Sequence, residues 1–360
     1  MLSRFFPPSF TDECNAILPI DPVLTKEAQD RLDILAKPLG SLGRLEDMAR
    51  QLYGIQKRAP LETRPSRMYT IAGDHGVVEE GVASSPKAVT VSMTQNFLQG
   101  GAAINCICAV AGMEFRVVDA GMDHDPLPEH SSLINAKVAR GTANIATGPA
   151  MTRDECLQAL QLGLSLAEAA YKDGVRVIGT GEMGIGNTTS SSALCCAYFG
   201  FSADEMTGMG AGIPKAGLSH KAKIIEKALH NNVAAVASGD PFVILSTLGG
   251  LEIATLTGLI IGSAARRMAI LIDGFISTAA FVAAWKMVPY VKDYCFFCHG
   301  SAEAGHAKVL QAIGQKPLLD LDMRLGEGTG AALGFMLLEA AVKVYNDMAT
   351  FESAGVSIHV

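Results

Sequence analysis

Glu327 stands in Arg324-Leu325-Gly326-Glu327-Gly328-Thr329-Gly330, where three glycines alternate around one carboxylate. Glycine at this density lets a backbone turn sharply and lets a ligand approach the main chain. A carboxylate in such a loop suits proton acceptance better than phosphate binding, because its charge repels an anion. Beyond it, Leu333, Met336, Leu337, Ala340, Val344 and Met348 recur at helical spacing. That spacing predicts a helix over 332–349 whose N-terminus, with its unpaired N–H groups and positive dipole end, meets the loop. The residues alone leave two readings open: a catalytic base, or an exposed Glu in a glycine-rich helix cap.

A second glycine loop with a lone carboxylate follows a short apolar strand at 175–178, in Gly179-Thr180-Gly181-Glu182-Met183-Gly184-Ile185-Gly186-Asn187-Thr188-Thr189. Backbone N–H groups of Gly181, Gly184 and Gly186, with the polar ends of Asn187 and Thr188, are the parts of a phosphate or ribose cradle. The spacing matches neither a P-loop nor G-x-G-x-x-G, which removes support for a nucleoside triphosphate or a dinucleotide. A third cluster, Gly208-Met209-Gly210-Ala211-Gly212, precedes a helical stretch holding Lys221 and Lys223. Lys221 reads as a phosphate partner beside Gly210 or as a solvated helix lysine. Gly73-Asp74-His75-Gly76 closes the strand at 68–72, at the carboxyl edge where open α/β sheets bind ligands. His75 there is a base or ligand, or a hydrogen-bonded turn histidine.

The elements that must hold these loops alternate. Apolar strands are expected at 68–72, 115–121, 175–178 and 268–273, and helices at 90–108, 152–173, 245–267, 304–313 and 332–349. Thr152 and Glu155 form a capping-box pattern at the start of the second helix. This order predicts an α/β protein with a parallel, Rossmann-like sheet flanked by helices. A helical region over 25–56, broken by Pro38, Gly40 and Gly43, precedes it, and 60–65 reads as a linker. The expected organisation is a small helical domain from residues 1–60 plus 335–360, and an α/β catalytic domain over 61–334.

Composition narrows the function. With 360 residues, 49% of them hydrophobic, 37 glycines and a net charge of −7, the chain has a full core and no long basic run, so nucleic acid and anionic membrane are excluded as expected partners. Residues 1–10 carry one Arg, three Phe and two Pro, too broken for a secretory signal. Arg266, Arg267 and Asp273 interrupt the apolar stretches 253–265 and 269–285 before either reaches membrane length. The expected location is the cytoplasm. Eight cysteines are scattered and read as buried free thiols. Cys295-Phe296-Phe297-Cys298-His299 fits the covalent haem pattern, but such attachment follows export, for which no signal is read, and no second Cys or His pair lies at zinc-finger spacing, so neither haem nor zinc is expected.

Five motifs, in order along nearly the whole chain, carry a resemblance. Lys37-Pro38-Leu39-Gly40-Ser41-Leu42-Gly43-Arg44-Leu45-Glu46, Ala72-Gly73-Asp74-His75-Gly76, the segment from Gly181 through Thr189, Leu271-Ile272-Asp273-Gly274-Phe275 and Arg324-Leu325-Gly326-Glu327-Gly328-Thr329-Gly330 together resemble the nicotinate-nucleotide:dimethylbenzimidazole phosphoribosyltransferase family. The resemblance implies transfer of ribose 5-phosphate from nicotinate mononucleotide to 5,6-dimethylbenzimidazole or a related lower base. The products are nicotinate and α-ribazole 5'-phosphate, used in assembling the nucleotide loop of cobalamin. It implies Glu327 as the base, Glu182 at the nucleotide, Lys221 and Ser301 at the phosphate, and Ser85 and Leu325 near the base pocket. Gly326 and Gly328 flank the catalytic carboxylate in that motif. It also implies a homodimer. The chain departs from the family pattern at Phe297-Cys298-His299, often Ala-Ser-His, and at Ser92 and Met93, where many members have Gln. The second change lies near the implied base pocket, where purines and phenols are alternative acceptors.

The chemistry needs little more than this inventory. Nicotinate leaves as a neutral ring nitrogen and requires no general acid, whereas the attacking benzimidazole must lose its other N–H proton to one carboxylate. Enzymes using pyrophosphate-activated ribose show paired acidic residues for Mg2+, but Asp273 stands alone; no metal or cofactor is expected. The competing readings are a nucleosidase that passes the ribosyl group to water, and a nucleotide sensor without turnover.

Overall fold

The computed structural model describes residues 6–210 and 215–356. Strands β1 (Ser66–Gly73), β2 (Glu114–Gly121), β3 (Leu133–Asn135), β4 (Val177–Met183), β5 (Ala269–Ile272) and β6 (Cys295–Phe297) form one sheet in the order β3-β2-β1-β4-β5-β6. Every pairing is parallel. All residues of β1 and β5 are buried, as a parallel sheet covered on both faces requires. Succession runs one way from β1 to β3 and the other way from β4 to β6, so a crevice opens at the carboxyl ends of β1 and β4. A two-stranded parallel sheet joins β7 (His299–Gly300) and β8 (Leu319–Asp320) beside it.

Helices Leu251–Ala265 and Thr329–Asp347 pack on the strands, and the Arg153–Lys172 helix lies along the first of them. The Thr152 hydroxyl accepts from Glu155 N–H and Thr152 N–H donates to the Glu155 carboxylate, so the expected capping box is present. The chain ends meet. Ala36 N–H donates to the Ala349 carbonyl at 2.9 Å and Phe351 N–H to the Ile34 carbonyl at 3.1 Å. Helices Pro22–Asp33 and Arg44–Gln56 pair, and the second also packs on Thr329–Asp347. Between them a buried Lys37–Glu46 ion pair of 2.8 Å closes the loop rich in glycine, while Leu42 N–H donates to Glu46 at 2.9 Å.

Several local expectations change in the folded chain. The helix expected over 90–108 is two, Ala88–Leu98 and Ala103–Ala111, broken at Gly100 and Gly101. The helix expected over 245–267 is Pro241–Leu248 and Leu251–Ala265, broken at Gly249 and Gly250. The strand expected to end at 178 continues to Met183, because β1 supplies ladder partners along its whole length and β5 as far as Gly179. Half of the presumed glycine loop is therefore sheet. Ala211 and Gly212 of the third glycine cluster lie outside the described residues. His75 is a fully buried structural side chain, with Nδ1 3.0 Å from the Ser190 hydroxyl and Nε2 2.6 Å from Glu252. Seven of the eight cysteines are buried and all are free. Among the described residues no helix is long and apolar enough to cross a membrane.

Candidate active site

A cavity of about 390 Å³ opens at the carboxyl edge of β4 and β5. Glu182, at the end of β4, and Glu327, just before the Thr329–Asp347 helix, both line it. Gly326, Glu327 and Gly328 all adopt positive φ, of 83°, 64° and 97°. For the glutamate this left-handed conformation costs about 1–2 kcal/mol, so neighbours must hold it. Thr70 on β1 donates its hydroxyl to the Glu327 carbonyl at 2.7 Å, Glu327 N–H donates to the Glu182 carbonyl at 3.3 Å, and Asp273 accepts from Gly328 N–H at 3.2 Å. Three adjacent strand ends thus pin one turn. The sheet approaches so closely that a Cβ on Gly181 would lie 2.3 Å from the Glu327 carbonyl oxygen.

The two glutamates differ in environment. Burial pushes the Glu182 carboxyl up to about 8; Asn187 opposes this, and the nearby Asp273, Glu252 and Glu327 charges add to it. Asn187 donates its side-chain amide to Glu182. Glu327 is also raised, by burial first and by Asp273 as well, while Ile104 N–H, 3.4 Å from its Oε2, holds it down. Burial therefore favours the protonated form of both carboxyls, with the larger shift at Glu182.

Asn187 and Thr188 begin a helix, Asn187–Phe199, immediately after Gly186 at φ 95°. Lys221, buried, donates its ammonium to the Thr188 hydroxyl at 2.8 Å and to the Gly208 carbonyl at 3.3 Å. Burial lowers its pKa to about 8, and Glu303 works against that shift. A helix N-terminus backed by a buried ammonium is an anion site. Opposite, Ser85, Val89 and Met93 from one segment, with Leu325, give the cavity a largely apolar wall.

Ten of the expected residues therefore surround one space: Ser85, Glu182, Gly184, Asn187, Thr188, Gly210, Ser301, Leu325, Gly326 and Glu327. Gly181, Gly186 and Gly328 adjoin the lining residues Glu182, Asn187 and Glu327 along the chain, and Lys221 donates to Thr188 of that lining. Asp74 is placed elsewhere: it is buried and accepts from Asp123 N–H at 2.8 Å, tying the turn after β1 to the one after β2. Asp273, His299 and Glu303 line the cavity without having been given a part in the site. The signal for Asp273 was its place at the carboxyl end of a buried strand. His299 was hidden by being weighed only as part of a haem motif. No group of three or more His, Cys, Asp or Glu side chains among the described residues could hold a metal ion.

A profile of a phosphoribosyltransferase family matches residues 17–356. The chain belongs to this family. It is 54% identical over 344 residues to the nicotinate-nucleotide:dimethylbenzimidazole phosphoribosyltransferase of Nitratidesulfovibrio vulgaris strain DP4, covering 95% of this chain and 96% of that one. Its identity to the enzyme of the same name from Oleidesulfovibrio alaskensis is 56% over 342 residues, with 95% and 96% covered. A crystal structure of the enzyme from Thermus thermophilus superposes with a TM-score of 0.87 at 40% identity, covering 94% of this chain and 99% of that chain. The parallel sheet and its flanking helices are thus those of the phosphoribosyltransferase family.

Proposed function

We propose that this protein transfers the 5-phosphoribosyl group of nicotinate mononucleotide to 5,6-dimethylbenzimidazole or a close relative of it, releasing nicotinate and forming α-ribazole 5'-phosphate for cobalamin. The placement of Glu327, a carboxylate held in a pinned left-handed turn beside the apolar wall, carries this reading. One acceptor nitrogen attacks the ribose carbon as the bond to the nicotinate ring nitrogen breaks. The positive charge that the nicotinate ring loses passes to the acceptor, and Glu327 removes it by taking the other N–H proton. The leaving ring departs neutral and needs no proton donor.

The remaining residues bind and orient. The N-terminus of the Asn187–Phe199 helix, Thr188, Gly210 and Lys221 form the phosphate end, with Ser301 across the cavity. Glu182, protonated near neutral pH, approaches the anionic nucleotide without repelling it and donates a hydrogen bond to a ribose hydroxyl. Ser85 and Leu325 flank the acceptor. The cavity around the reacting carbon supplies positioning and electrostatic stabilisation of its developing positive charge. The protein works as a homodimer on small molecules in the cytoplasm; light scattering at twice the mass of one chain would support that state and a monomer would refute it.

Product analysis with and without the benzimidazole tests the reaction. Nicotinate should appear only when the acceptor is present, together with α-ribazole 5'-phosphate in equal amount. Nicotinate release into water alone would make the protein a nucleosidase, and no release in either case would make it a sensor.

A further inference from the structure

We propose that Asp273 is the positioning residue for Glu327, acting as a helix cap supplied from a different element: its carboxylate holds the 326–328 turn and keeps the base aimed into the cavity. The Thr329–Asp347 helix begins after Gly328, which has no side chain to cap the first N–H groups. Asp273, at the end of β5, takes that role across 55 residues of sequence, accepting from Gly328 N–H at 3.2 Å with Oδ2 and from Ala331 N–H at 3.0 Å with Oδ1. Its own N–H donates to the Thr180 hydroxyl at 3.3 Å, which anchors it to β4. One side chain therefore fixes the exit of the turn that presents Glu327 and the first turn of the helix that follows it.

The geometry separates this role from simple support. Thr70 anchors the same turn through the Glu327 carbonyl but is uncharged. Burial raises the Asp273 carboxyl, while His299 and the amides of Ala331, Gly330 and Gly328 favour its charged form; that charge, beside the base, favours the protonated form of Glu327. Other charged and titratable groups facing this place are Glu182 from β4, His299 from β7 with Nε2 3.6 Å from Asp273, Glu252 and His306 behind them, and Glu303 and Arg324 at the cavity rim. His306 is held down at about 3 by burial and by His299, so it stays neutral throughout the working range. His299 has no hydrogen-bond partner on either ring nitrogen among the described residues, which leaves the backbone amides as the hydrogen bonds that commit the Asp273 carboxylate.

The inference rests on the transferase reading with Glu327 as base. Asp273→Asn, Thr70→Val and Glu327→Gln are assayed together for kcat, KM of both substrates and the pH profile, with thermal melts. Asp273→Asn, which keeps shape but loses the charge and one acceptor, should lower kcat about 10-fold, leave each KM within about 2-fold, and move the acid limb of the kcat profile to lower pH. Thr70→Val should lower kcat about 3-fold without moving that limb. A raised KM with kcat preserved would make Asp273 a substrate contact and overturn the proposal. So would an unmoved acid limb, an unchanged kcat in Thr70→Val, or an Asp273→Asn protein unfolded at the assay temperature. If Glu327→Gln retains transfer, the base assignment itself fails; if it loses transfer while Asp273→Asn behaves as wild type, only this inference fails.

Discussion

The two glutamates among glycines look alike in sequence and differ in physical state. Glu182 lies near the end of a strand paired with β1 along its length and with β5 at its start, so its glycines serve close packing, and burial drives its carboxyl to hold a proton. Glu327 sits on a left-handed turn between strand ends and a helix N-terminus, where its glycines serve backbone conformation and the Ile104 N–H opposes the upward push of burial on its carboxyl. A G-E-G or G-E-x-G string therefore does not say whether the carboxylate will be charged. The elements on either side decide it.

The sharpest way to break this contrast is Glu327→Gln. It preserves size and hydrogen bonding but cannot accept a proton, so transfer should fall by roughly 10²-fold or more with little change in nucleotide affinity. The rate of the unaltered protein should decline on the acid side with a midpoint above the ordinary 4.5 of glutamate, because Glu327 is raised. Turnover near normal in the variant would shift the base to another residue.

Gly181→Ala is expected to come next. Its Cβ would meet the Glu327 carbonyl oxygen at 2.3 Å, backbone that cannot swing aside, and should cost about 10-fold in kcat. Gly179→Ala is its partner control, since that Cβ would meet the terminal methyl of Met68, a flexible group. Equal losses in the two would mean that crowding of the sheet, rather than displacement of the base, limits the rate.

Glu182→Gln tests the other side of the contrast. It should raise KM for nicotinate mononucleotide by several-fold, before kcat suffers. The same change should stabilise the protein at high pH. Unfolded, Glu182 ionises near 4.5; folded, it holds its proton to about 8. Stability present below pH 4.5 is therefore lost as pH rises through that window, and Gln removes the loss. Melts should show the variant higher by roughly 3 °C or more at pH 9 and level with the parent near pH 4. A variant no more stable at pH 9 would mean that Glu182 is charged in the fold.

The smallest expected effect is that of a chelator. Dialysis against EDTA should leave transfer unchanged, since the charge work is assigned to Glu327, Lys221 and a helix N-terminus. Loss of activity restored by Mg2+ or Zn2+ would overturn that assignment.

Much of the protein was determined by sequence alone, where the controlling forces are local. Apolar runs bounded by glycine turns marked the strands, 3.6-residue periodicity marked the helix after Glu327, and Thr152 with Glu155 marked a capped start; each depends on residues within a turn or two. Motif chemistry likewise brought Glu182, Asn187, Thr188 and Glu327 forward, the family resemblance added Ser85 and Ser301, and the fold gathers all six around one cavity. Tertiary structure decided what depends on distant partners. Gly179 to Met183 became strand because β1 offered a ladder along the whole stretch, with β5 pairing as far as Gly179. Asp74 turned inward to hold Asp123, His75 paired with a Glu252 that lies 177 residues away, and Lys221 was buried against Thr188. Asp273 gained its cap role when the sheet order set β5 beside the Gly328 turn. A charge buried among partners that far apart in sequence has its protonation and its role set by sheet order, because desolvation and short-range hydrogen bonds act only across the distances that folding creates.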